Sequence, residues 1–115
     1  MKKLPAFFFK LDSEREPVKD FLRDLGKKDC GIIGSDIKTI EVGWPAGMPV
    51  CRSLGDGLWE VRSNISGGRV ARVIFVIHEG QMCLLHGFVK KTQQTPKVDI
   101  DLAKQRMTAL KRGSP

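Results

Sequence analysis

The chain has 115 residues, 41% hydrophobic content and a net charge of +7, which fits one domain over residues 1–115 that buries about two thirds of its unfolded surface without disulfide help. No apolar run approaches the ~18 residues of a membrane span, and the opening "MKKLPAFFFK" has neither the length nor the cleavage pattern of a secretory signal, so a cytoplasmic protein with no membrane partner is expected. Cys30, Cys51 and Cys83 show no C-x-x-C spacing and read as buried thiols of a reducing compartment rather than a disulfide framework or zinc site.

Residues 4–11, with three consecutive phenylalanines, predict a first strand. Pro17 suits the first helical position, and Val18, Phe21, Leu22 and Leu25 fall on one helical face. Gly26 closes that helix, with Lys27 and Lys28 near its negative end. A second helix is predicted over 35–43, capped by Ser35 or Asp36, with Ile33, Ile37 and Ile40 in one stripe. The Gly- and Pro-rich residues 43–49 end the helical half.

The period then changes to two. Residues 58–65, 69–78 and 82–89 predict three strands joined by tight turns at "SGG" and "EGQ", an antiparallel meander. Thr95 offers an N-cap with Pro96 at the first helical position, and Ile100, Ala103, Met107 and Leu110 mark a last helix. The expected fold is α+β: an antiparallel sheet of the N-terminal strand and the three-strand meander, two N-terminal helices packed on one face, and a C-terminal helix.

Charge is distributed unevenly. Residues 1–57 carry ten Lys/Arg against nine Asp/Glu, whereas residues 58–115 carry ten against four. A basic second half points to a polyanionic partner, most simply nucleic acid. There is no Gly-rich phosphate loop, no metal-ligand spacing and no nucleophile elbow, so no metal or other cofactor is expected. Asp99 and Asp101 suit the positive end of the last helix.

The unusual residues are cations inside apolar strands. Arg62 interrupts "LWEVRSNI", and Arg72 interrupts "RVARVIFVIH". Period-two counting groups Arg72 with Val70, Ile74 and Val76, and sets Ala71, Val73, Phe75 and Ile77 on the opposite, core face. The same count groups His86 with Met82, Leu84, Phe88 and Lys90. With hairpin pairing, Arg62, Arg72, His86 and Lys90 converge on one surface, which suits RNA: cations neutralise phosphate while Trp59 or Phe88 stacks a base. A ribonuclease that uses the substrate's 2′-hydroxyl as nucleophile needs little beyond a base, an acid and cations for the phosphorane charge. Two blander readings stand beside this one. Lys90 and Lys91 are equally a solvated strand end, and Arg62 and Arg72 are equally ion-pair partners of Glu60 or Glu79.

In order and spacing, "LWEVRSN", "VARVIFV", "MCLLHGFVKKTQQTP" and "IDLAKQRM" resemble the phage-related HigB branch of the RelE/ParE toxin superfamily. The resemblance spans roughly residues 50–110. It implies a RelE-like fold and a toxin of a type II toxin–antitoxin pair, acting as a ribosome-dependent mRNA endoribonuclease. The implied partners are mRNA, the ribosome and a cognate helix-turn-helix (HigA-like) antitoxin. The family pattern assigns Arg62 and Arg72 to phosphate binding and transition-state charge, and Lys90 to charge or proton transfer. Lys91, Arg69, Trp59 and His86 become RNA or ribosome contacts, with His86 equally a packed or hydrogen-bonding residue. Several RelE-like nucleases use a tyrosine near the C-terminus; this chain contains none, so another residue takes that part. ParE-like relatives poison DNA gyrase, and that activity, or an inert nucleic-acid-binding relic, is the alternative.

Overall fold

The computed structural model describes residues 2–45, 51–90 and 94–113. In chain order the elements are β1 (Ala6–Phe8), α1 (Pro17–Asp24), α2 (Lys27–Gly43), β2 (Cys51–Gly55), β3 (Leu58–Asn64), a short 3₁₀ turn (Ser66–Gly68), β4 (Val70–His78), β5 (Gln81–Lys90) and α3 (Lys97–Gly113). One five-stranded sheet runs in the order β1-β5-β4-β3-β2. The α+β architecture and the β3–β4–β5 meander are as expected. Among the described residues no helix is long and apolar enough to cross a membrane.

Three details differ from expectation. First, β1 pairs with β5 in parallel, Phe7 opposite Cys83, because the chain crosses over through α1 and α2 before returning to that edge. Second, α2 starts at Lys27 rather than at residue 35, with Gly26 as its N-cap, so Lys27 and Lys28 open α2 instead of closing α1. Gly31 and Gly34 each weaken a helix by about 1 kcal/mol, but burial of Ile33, Ile37 and Ile40 against the sheet outweighs that cost. Third, the meander gains an outer strand, β2, antiparallel to β3. Its turn carries Asp56 and Gly57 at φ 55° and 85°, the left-handed pair of a two-residue hairpin. Glu79 and Gly80, at φ 52° and 75°, repeat that geometry between β4 and β5.

Both sheet faces are buried. On one, α1 and α2 cover Val61, Val73, Phe75, Met82 and Leu84. On the other, Ala103 of α3 packs with Leu58, Ile74, Val76, Cys83 and Leu85. The pairing of β4 with β5 shifts register between Ile74 and Phe75, which face His86 and Leu84. Leu85 is therefore the extra residue of a β-bulge. Its carbonyl accepts a 2.8 Å hydrogen bond from Arg106 of α3. The bulge places His86, Phe88 and Lys90 on the α3 side, opposite Met82 and Leu84, and so overturns the uninterrupted alternation expected for this strand.

Candidate anion-binding site

Beyond the end of the sheet that α3 covers, the α3-side face is built from charged residues. Alternation along β3 puts Leu58, Glu60 and Arg62 on this face. Register then aligns Arg62 of β3 opposite Arg72 of β4, and Arg72 opposite Phe88 of β5. One row across three strands thus reads Arg62, Arg72, Phe88. In the next row Arg52 lies opposite Glu60, Glu60 opposite Ile74 and Ile74 opposite His86. Lys90, opposite Val70, sits one diagonal step from Arg72. The expected convergence of Arg62, Arg72, His86 and Lys90 on one surface is thus present.

Glu60 organises the cluster. It is fully buried, and Arg72 is only 3% exposed. The Glu60 carboxylate accepts from Arg72 Nη1 and from the Thr95 hydroxyl, with a further 3.1 Å bond from Arg52 Nε. Arg52 also reaches the Thr95 hydroxyl at 3.3 Å. A carboxylate at zero exposure is tolerable only when paired and hydrogen-bonded to this degree. Arg72 Nε, by contrast, is buried without an acceptor among the described residues.

One buried carboxylate does not balance Arg52, Arg62, Arg72 and Lys90. Two guanidinium groups directly opposite each other across strands repel, and an anion seated between them relieves the repulsion. Lys90 is buried, at 7% exposure. Burial and then the Arg72 charge hold its ammonium pKa below the usual lysine value, with Arg52 and Arg62 adding to the effect and Glu60 opposing it. The site therefore combines fixed cations with an amine whose proton is easier to give up, the pairing needed to stabilise an oxyanion and move a proton.

At the edge of this face His86 Nε2 lies 2.6 Å from Asp99 Oδ1, and the imidazole stacks on Phe88 at 5.3 Å between centroids. Asp99 sits in the first turn of α3, so its expected helix-end position holds, but it also pins α3 to β5. Arg62 is exposed to solvent.

Other expected contacts lie elsewhere. Trp59 is on the opposite face, in edge-on contact with Trp44 at 4.9 Å. Arg69 binds Asp29 of α2 at 2.9 Å and the Ser66 hydroxyl at 3.1 Å. Asp29 also accepts from the Ser66 backbone N–H and hydroxyl, and these bonds, more than the Arg69 charge, hold its carboxyl below the ordinary aspartate pKa. Lys91 lies outside the described residues. Thr95, expected to cap the last helix, instead donates to Glu60, and the Pro96 carbonyl accepts from the Asp99 and Ile100 N–H groups.

Arg52, Glu60, Thr95 and Asp99 were not among the expected site residues. Glu60 was the most legible of them, since it shares a strand face with Arg62. Arg52 required the β2 pairing, and Thr95 and Asp99 required the docking of α3.

No curated protein matches the chain. The family model for phage-derived Gp49-like proteins (DUF891) matches residues 20–108, which takes in the later part of α1, all of α2 and of β2 to β5, and most of α3, and with them every charged group of the site. The chain belongs to the Gp49-like phage-derived family, a toxin-like family associated with RelE/HigB-type toxins.

Proposed function

We propose that the protein is the toxin of a type II toxin–antitoxin pair and acts in the cytoplasm as a ribosome-dependent mRNA endoribonuclease, restrained by a helix-turn-helix antitoxin. In this reading Arg62 and Arg72 hold the scissile phosphate and the charge of the phosphorane, while Lys90 carries charge or a proton. Phe88 offers a ring for a base, and the attacking group is the RNA's own 2′-hydroxyl. The supporting observation is the direct pairing of Arg62 with Arg72 across β3 and β4, one diagonal step from buried Lys90. Such an arrangement is self-repelling when empty and complementary to a phosphate.

Arg62 gives the cleanest test because it is exposed, so its removal leaves the fold intact. Induction of the wild-type protein should arrest growth and create new RNA 5′ ends inside reading frames, mapped by primer extension. Arg62→Ala should lose both effects at equal protein level. Growth arrest with a DNA-damage response and no new RNA ends would replace this reading with a gyrase poison. Full toxicity of an Arg62→Ala, Lys90→Met double variant would show that the site is misassigned.

A further inference from the structure

On the face opposite the arginine row, α1, α2 and β1 enclose a groove of about 370 Å3. Its floor is apolar, made by Phe8, Leu22 and Cys30, and its rim carries Lys19, Arg23 and Lys27. Among the described residues no acidic side chain lines it. Arg23 pairs with Asp20 at 2.9 Å and Lys19 approaches Glu16 at 3.7 Å; both cations are exposed and each pair spans one helical turn, a geometry that neutralises only part of their charge, and Lys27 has no such pair among the described residues. The rim is also where α2 begins. Gly26 supplies no side-chain cap, so the first N–H groups of a 17-residue helix add partial positive charge to that of Lys27.

We propose that this groove is a docking site for an acidic segment of a protein partner, one that inserts one or two large apolar side chains between α1 and α2 and sets its carboxylates against Lys19, Arg23 and Lys27. Charge complementarity selects this occupant. An apolar anchor fits the floor, and only an anionic surround matches three rim cations and an uncapped helix start. A partner seated there leaves the Arg62–Arg72 face uncovered, and its docking does not depend on whether that face cuts RNA.

The groove carries its own reporter. Burial pushes the Cys83 thiol up to about 12 and, with Glu60 second, the Cys51 thiol up to about 11, so both resist alkylation near neutral pH. Half-buried Cys30 lines the groove and is the thiol expected to react.

The test is a selection of random helix-length peptides on the immobilised full chain. The expected winners combine clustered Asp/Glu with one or two large apolar residues. They should slow iodoacetamide alkylation of Cys30 and bind Lys27→Glu about tenfold more weakly. Lys27→Glu places an acid in the first turn of α2, where the helix dipole favours it, so weaker binding is not a folding defect. Failure to enrich any peptide overturns the proposal. So do winners without acidic residues, winners that bind Lys27→Glu equally well, unaltered Cys30 alkylation, or self-association of the chain through this groove.

Discussion

Glu60 and Arg72 meet as a buried ion pair one diagonal step apart across β3 and β4, at 0% and 3% exposure. The pair holds Arg72 in the sheet and keeps its guanidinium within one face of Arg62 and Lys90. Removing one partner strands a charge in the interior. Glu60→Ala is therefore expected to cost about 3–5 kcal/mol, measured by urea denaturation. Replacing both with apolar residues of similar volume, as in Glu60→Leu with Arg72→Met, should recover most of that loss. A Glu60→Ala variant within about 1 kcal/mol of wild type would mean that the pair is solvated and has no organising role.

Lys90 trades stability for charge. Its folded pKa lies below the unfolded value of 10.5, so the folded protein releases this proton first. Stability from this group is thus lowest at neutral pH and rises as pH climbs through the folded pKa towards 10.5. Lys90→Met should be no less stable than wild type at neutral pH, and any advantage should shrink with increasing pH in parallel denaturation curves. On the proposed reaction its cleavage rate should fall about 10²–10³-fold, the typical loss when one charge-stabilising group is removed.

Gly87 is where α1 presses on β5. A Cβ there would stand 2.4 Å from Phe21 Cδ2 and 2.8 Å from Cε2, the side of a packed ring rather than a mobile chain end. Gly87→Ala should cost about 1–3 kcal/mol through overpacking. Trimming the ring with Phe21→Leu should make the second substitution cheaper in the double variant than alone. Additive losses would place the strain elsewhere.

Asp29 holds the β3–β4 connection to α2 through Ser66 and Arg69. Its folded pKa is below the ordinary 3.8, so its contribution is complete above that value and is lost as pH falls through the folded pKa. Asp29→Asn should have a lower Tm than wild type near neutral pH, and the difference should close as pH drops below 3.8. A gap that persists in acid would mean that shape, not charge, secures this turn.

Much of the architecture could be read along the chain. Pro17 and the Val18, Leu22 spacing marked α1, a β-branched run marked β4, short apolar runs between turn signals marked β3 and β5, and period-two counting placed Arg62 and Arg72 where they could meet. That count also sets Trp59 opposite Arg62, and Arg69 opposite Arg72, so the placement of both against the α2 side follows from it. Likewise the Asp56-Gly57 pair was a usable hairpin signal for β2. These are short-range properties, fixed by side-chain alternation and turn stereochemistry.

Other features depend on segments far apart in sequence. Burial of both sheet faces leaves no polar stripe to say which face α3 covers, and a bulge at Leu85 moves His86, Phe88 and Lys90 to the side that alternation denies them. Arg106 from α3 meets the bulge carbonyl, Asp99 meets His86, and Thr95 leaves its expected cap for Glu60. Residue pattern specified which side chains could be charged and where strands would run. Packing of α3 against the sheet settled which charges are buried together, because the cost of desolvating Glu60, Arg72 and Lys90 is set by neighbours that only the folded chain assembles.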